Sequence, residues 1–225
     1  MMLFKIEPTN FEHYMIIKRV SLNSVIVYFK QDISETVLNQ VQALNTQLQK
    51  LKGVVDIVPS YCSILVTYDS GIYNYTTIQK NIWNCLESEA IATNQARLKP
   101  SVPSNPNIIK IPTNYSKNLD LERVANHNNL TIEEVITLHT QQVYRVYAIG
   151  FMVGFAYLAQ VDPKIATPRL TTPRAKIPKG SVAIADRQTA IYPQDSAGGW
   201  NIIGSTAFNA FENFSIGDYV QFVKV

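Results

Sequence analysis

The sequence predicts an α+β protein in two parts: an N-terminal ferredoxin-like α/β sandwich, then a mostly β unit of closed-barrel or sandwich type. Three observations predict it. Up to about residue 96, β-rich runs alternate with segments of helical period. A run of prolines and serines follows at 97–106. From Tyr144 onward there are only short strand-like pieces punctuated by glycine and proline. The predicted domains are therefore 1–96 and 107–225, with 97–106 as a linker.

Val25 to Phe29 (VIVYF) is β-rich and follows a polar turn. In SETVLNQVQALNTQLQKLKG, the residues Val37, Val41, Leu44, Leu48 and Leu51 step by three or four and share one helical face. Ser34 is placed to cap the start, and Gly53 to take the left-handed stop conformation. VVDIVP (54–59) and SILVTY (63–68) are β-like runs joined by a tight connection. A second helix over 76–86 carries Ile78, Ile82 and Leu86 at intervals of four. The order β-α-β-β-α suggests the ferredoxin-like sandwich, with a mixed unit of another strand order as the alternative. RLKPSVPSNP then reads as linker. Ile108–Ile111 is a short strand. Two short helices follow, at 119–128 and 131–140, the second opened by a capping box of Thr131 and Glu134. YRVYAIGF, SVAIAD, QTAIYP, NIIGST and DYVQFVKV complete the barrel or sandwich.

Composition and motifs exclude several classes of function. A net charge of +3 is too small to imply nucleic acid without clustered cations. The helix pair at 119–140 has a helix-turn-helix outline, but its second helix leads with Glu133 and Glu134, which repel a phosphate-lined groove. No partner nucleic acid is expected. The longest uncharged apolar stretch, Val146–Ala159, has 14 residues, short of the roughly 20 that span a bilayer. Cys62 and Cys85 form no CxxC, which fits a reducing compartment, and residues 1–14 lack the apolar core of a signal peptide. A cytoplasmic protein without membrane contact is predicted. There is no phosphate-binding glycine loop, no paired histidine spacing for a metal and no GxSxG nucleophile elbow.

Two clusters carry candidate chemistry. The first is a triplet of Pro–cation pairs, Pro168–Arg169, Pro173–Arg174 and Pro178–Lys179, each five residues after the last. Proline pushes its predecessor toward extended geometry, so 166–179 is predicted irregular and largely extended. An odd spacing sends Arg169 and Arg174 to opposite faces of a straight strand. Either the loop folds back, or one arginine clamps a carboxylate or phosphate while the other braces the loop or reaches a partner chain. The second cluster is QTAIYPQDSAGGWNIIGST, 188–206. Gly198 and Gly199 permit close approach, Trp200 offers an aromatic face and one N–H, and Gln188 and Tyr192 bring neutral polar tips.

TLHTQQVYRVYAIGF, GFxxGFxYL, PRxxxPRxxxPxGSVAIA and QTxIYPxxSxGGWxxIGxT, taken in order, resemble the B subunit of bacterial 5-oxoprolinase. That family is also called allophanate hydrolase subunit 1, or the kinase inhibitor KipI. The resemblance implies a cyclophilin-like β-barrel for the second domain and a likeness to one half of the carboxyltransferase region of urea carboxylase. It implies an enzyme that is inactive alone and works with subunits C and A to open 5-oxo-L-proline to L-glutamate with ATP hydrolysis. The ATP site would be shared with or supplied by a partner. A second reading, regulatory binding to a sensor histidine kinase, also follows from the resemblance. Under the first reading Arg169 or Arg174 holds the substrate carboxylate or a phosphorylated intermediate, and His139 moves a proton if it faces the pocket. Gln188, Tyr192, Gly198, Gly199 and Trp200 shape and close the site, and no metal is expected. The sequence departs from the family pattern at Val153, Asp186, Ala197, Ser205 and Ala207. The new carboxylate at Asp186 is placed to pair with the cationic loop.

Overall fold

The structure is a computed structural model that describes residues 15–87, 107–116 and 118–225. The expected linker 97–106 and the leading residues 1–14 lie outside the described residues. The chain divides into two compact units, Met1–Pro100 and Ser101–Val225.

The first unit runs β1 (Ile16–Arg19), β2 (Ser24–Tyr28), α1 (Glu35–Leu48), β3 (Val54–Ser60), β4 (Ser63–Tyr68) and α2 (Tyr75–Glu87). Its four strands form an antiparallel sheet in the order β1-β2-β4-β3. The helical stripe of α1 works as its spacing predicts: Val37, Val41, Leu44 and Leu48 are buried against Val25, Val27, Ile64, Val66 and the Ile78 and Ile82 of α2. Ser34 caps α1, its side chain accepting the Val37 N–H at 3.4 Å. Gly53 does not stop the helix. α1 ends at Leu48, the chain tightens through Lys50 and Leu51, and Gly53 takes a left-handed φ of +91° later in that turn. Strand β1 escaped the sequence reading because IIKR buries one residue, Ile17, and shows no alternation to read. It fills the edge beside β2, the place that a strand following the second helix takes in the βαββαβ order.

The second unit contains β5 (Ile108–Thr113), α3 (Leu121–His127), α4 (Ile132–Gln141), β6 (Tyr144–Ile149), β7 (Ala156–Ala159), β8 (Arg174–Ile177), β9 (Ser181–Ala185), β10 (Gln188–Ile191), β11 (Ser196–Gly198), β12 (Asn201–Ser205) and β13 (Tyr219–Lys224). Seven strands form one sheet in the order β12-β9-β10-β7-β6-β13-β5. Its two edges meet through Asn114 and Ser205, whose backbones exchange hydrogen bonds at 2.8 and 3.0 Å. The sheet is thereby nearly closed and barrel-like. The capping box at the start of α4 is present in full.

Both faces of this sheet are covered where the candidate residues lie. Val182, Ile184, Ile191, Ile203 and Leu158 point into the barrel interior. Their neighbours Ala183, Ala185, Ala190, Ile202 and Tyr157 point outward into a second, smaller core. A short β8–β11 ribbon supplies the cover through Ile177 and the adjoining Trp200. That is why SVAIA reads as an unbroken buried run without alternation.

Asp186 sits in the two-residue turn between β9 and β10 with φ +50°, a conformation that glycine takes freely and aspartate tolerates better than most residues. The expected pairing of its carboxylate with the cationic loop is not made: Asp186 is exposed and forms no ion pair among the described residues. Its backbone meets the loop instead, the Asp186 N–H donating to Thr167 O at 2.7 Å. No helix among the described residues is long and apolar enough to cross a membrane.

Candidate functional site

The three cations of the Pro–cation triplet have three different fates. Arg174 is bidentate with Asp120, at 2.7 Å from Nη2 to Oδ1 and 2.9 Å from Nη1 to Oδ2. Lys179 lies over the Phe211 ring at 5.7 Å from its centroid, and its backbone N–H donates to Asp195. Arg169 is exposed and makes no hydrogen bond or ion pair among the described residues. The two arginines differ in pairing, Arg174 being held by Asp120 and Arg169 by no side chain among the described residues, although both charges act on the Tyr192 phenol.

The backbone around Arg169 is held on both sides. Pro168 O accepts from Asn201 Nδ2 at 3.0 Å and from the Arg123 guanidinium at 3.4 Å. The Leu170 N–H donates to Gly199 O at 2.7 Å. Asn201 is fully buried and is itself fixed by Ile184 O and by Arg123. Arg169 is therefore a long cationic side chain on an anchored peptide, beside a wall of rings. Phe155 packs edge-on against Tyr157, Tyr192 and Trp200 at centroid distances of 4.8, 5.4 and 5.8 Å. Burial pushes the Tyr157 and Tyr192 hydroxyls up, and the nearby positive charge of Arg169 opposes this in both.

Several predicted residues shape this wall. Trp200 and Tyr192 are core residues, 3% and 1% exposed, so they build the floor and do not reach outward. Gly198 does allow a close approach, but by Tyr192: a Cβ there would lie 2.3 Å from the Tyr192 hydroxyl oxygen and 2.7 Å from Ile177 Cδ1. Gly198→Ala is therefore expected to destabilise the protein by about 2 kcal/mol through overpacking, read as a lower denaturant midpoint; an unchanged midpoint would contradict the close packing. Gly199 acts through its carbonyl on Leu170. Gln188 is half-buried, and strand alternation puts it on the outer face with Ala190 and Tyr192.

His139 lies elsewhere. A role in proton transfer required the ring to face a pocket, and it is 0% exposed. Nδ1 is 2.7 Å from the Tyr115 hydroxyl and Nε2 is 2.9 Å from the Thr189 hydroxyl. Thr189 points inward from β10, whereas Tyr192 and Ala190 point outward, so the sheet itself separates His139 from the Arg169 side. Burial pushes its pKa down to about 3, which keeps the ring neutral.

Asp120, Arg123, Asn201 and Tyr157 were not singled out by sequence. Asp120 carries the ordinary signal of a helix cap, yet its side chain makes no cap bond. An open groove of about 600 Å³ along α3, lined by Leu119, Glu122, Arg123, Asn126 and His127, mixes charges of both signs and is a poorer anion site than Arg169. No group of three or more histidine, cysteine, aspartate or glutamate side chains able to hold a metal occurs among the described residues.

Residues 15–216 match the family described as "Carboxyltransferase domain, subdomain C and D". In Bacillus subtilis (strain 168), the protein named as the B subunit of 5-oxoprolinase is 34% identical over 223 residues, covering 93% of this chain and 92% of its own. The crystal structure of TTHA0988 superposes with a TM-score of 0.74 at 29% identity, covering 91% of this chain; this chain spans only 40% of that longer one. The urea amidolyase of K. lactis shares the fold, with a TM-score of 0.70 at 15% identity over 94% of this chain and 15% of that one. A family match over nearly all of the chain and a full-length relative at this identity place the protein in one group: the chain belongs to the family of 5-oxoprolinase B subunits, which are carboxyltransferase-domain proteins.

Proposed function

We propose that this chain is the B subunit of a cytoplasmic, ATP-dependent 5-oxoprolinase, which opens 5-oxo-L-proline to L-glutamate together with subunits A and C. The names of the full-length relatives support the assembly. We read its units as a ferredoxin-like sandwich and a cyclophilin-like barrel. The observation that carries the role of this chain is Arg169, an unpaired guanidinium on an anchored backbone beside Tyr157 and Tyr192.

The chemistry asks for such a group. Amide resonance makes a lactam carbonyl a weak electrophile, and phosphorylating its oxygen creates a leaving group that water can displace. Negative charge builds on oxygen in both steps, so a preorganised cation lowers both barriers. Arg169 holds the substrate carboxylate or the phosphoryl group bidentately. Tyr157 stands in the same wall of rings, packed against Phe155, and a phenol is protonated at neutral pH with or without burial. Tyr192, Trp200, Gly198 and Gly199 set the wall and the turn behind Arg169, Gln188 extends that outer face, and Arg174 braces the loop. His139 belongs to the barrel interior and has no part in the reaction.

One guanidinium such as that of Arg169 suits one carboxylate or phosphoryl group and is too little for a triphosphate. The ATP site is accordingly assigned to a partner subunit. The isolated chain is then expected to show no ATP-dependent loss of 5-oxoproline, and the complex co-purified with subunits A and C to show it. Glutamate release by the isolated chain, or a complex without turnover, would contradict this reading.

A further inference from the structure

We infer that Asp120 is a positioning residue that fixes where Arg169 stands and keeps Arg174 from competing with it; this rests on the reading of Arg169 as the anion holder. Asp120 is 4% exposed, and its carboxylate bonds away from its own helix. Although it occupies the cap position of α3, the local N–H of Leu121 goes to Asn118 Oδ1 at 3.3 Å. The carboxylate instead takes the Ile202 N–H at 2.7 Å and both arms of Arg174. The Asp120 N–H returns to Ile202 O at 2.8 Å. One residue thus joins the start of α3, strand β12 and strand β8.

These joints bracket Arg169. Ile202 adjoins Asn201, whose amide holds Pro168 O immediately before Arg169. Arg174 ends the five-residue step that starts at Arg169. Asp120 therefore acts on the loop from both sides, through β12 upstream and through Arg174 downstream. It also settles a competition. Arg169 and Arg174 both lie near enough to the Tyr192 phenol to lower its pKa against the effect of burial. Without a paired carboxylate, Arg174 would present a second free fork beside the first, and an incoming anion would be shared between two positions. The paired Arg174 is withdrawn from that competition.

The test is a double-mutant cycle in the reconstituted three-subunit complex, reading kcat/KM for 5-oxoproline. Asp120→Asn keeps the shape and an acceptor for the Ile202 N–H but removes the charge held by Arg174. It is expected to lower kcat/KM on the order of 10- to 100-fold, the scale set by small misplacements of a reacting group. In an Arg169→Ala background the same change should cost less than about threefold, because the residue through which it acts is gone. A role in stability alone would give the same factor in both backgrounds, and that result would overturn the inference, as would full turnover of Asp120→Asn. If Asp120→Asn fails to fold, Arg174→Lys replaces it in the cycle with the same expectations. Full turnover of Arg169→Ala would overturn the anion-holder reading and this inference together. An impaired Arg169→Ala with additive losses would overturn this inference alone.

Discussion

Arg169→Ala is expected to lower kcat/KM of the assembled enzyme by about 100- to 1,000-fold, the usual cost of removing one preorganised donor from a developing negative charge. Stability should barely change, because Arg169 is exposed and contributes no bond among the described residues. The pattern separates it from Arg174. Removing Arg174 strands a carboxylate that is 5% exposed, so Arg174→Ala should cost several kcal/mol of stability as well as activity. Thermal unfolding of both variants beside their turnover checks the division. Equal stability losses would show that the two arginines share one structural task.

The second large effect concerns stability in acid. His139 is neutral in the folded protein, with burial holding its pKa near 3 against an ordinary 6.5. The unfolded chain therefore binds a proton that the folded chain refuses. The sign follows: stability from this group is complete above about pH 6.5 and is lost as pH falls toward 3, at about 1.4 kcal/mol per pH unit. Between pH 6.5 and 4.5 the expected loss is about 2–3 kcal/mol. His139→Phe removes the titration and also leaves the Tyr115 and Thr189 hydroxyls without their partner, at a cost of about 2–4 kcal/mol at pH 7. Its gap from the wild type should then narrow as pH falls. Urea unfolding at pH 7 and 4.5 measures both; parallel profiles would mean that His139 takes up its proton in the folded state.

Much of the fold was legible because its signals are local. The stripe Val37–Val41–Leu44–Leu48, the Thr131–Glu134 capping box and the β-rich runs each state a period or a cap that no distant residue alters. β8 and β11 were not legible in the same way. RAKI and SAG have no apolar pattern of their own, and they form a ribbon because Ile177 and Trp200 find the small alanines on the outer face of β9 and β10. The site was half legible for the same reason. The Pro–cation triplet marks the loop and its two arginines. Which arginine is free depends on Asp120, 54 residues away along the chain, and no spacing rule reaches that far. His139 was drawn into the candidate set by the usual neutral-range pKa of histidine, a property that complete burial removes. Tyr192 was read as bringing a polar tip to a ligand, and Trp200 as either an aromatic face for it or a core residue; the second core on the outer face of the barrel claims both.

The structure of the assembled enzyme with 5-oxo-L-proline bound tests the account most directly, through the distance from Arg169 to the nearest ligand oxygen. We predict a paired contact at about 2.7–3.1 Å to a carboxylate or phosphoryl oxygen, with Arg174 still on Asp120. A ligand seated elsewhere in the assembly, with the Arg169 guanidinium left in solvent, would contradict it.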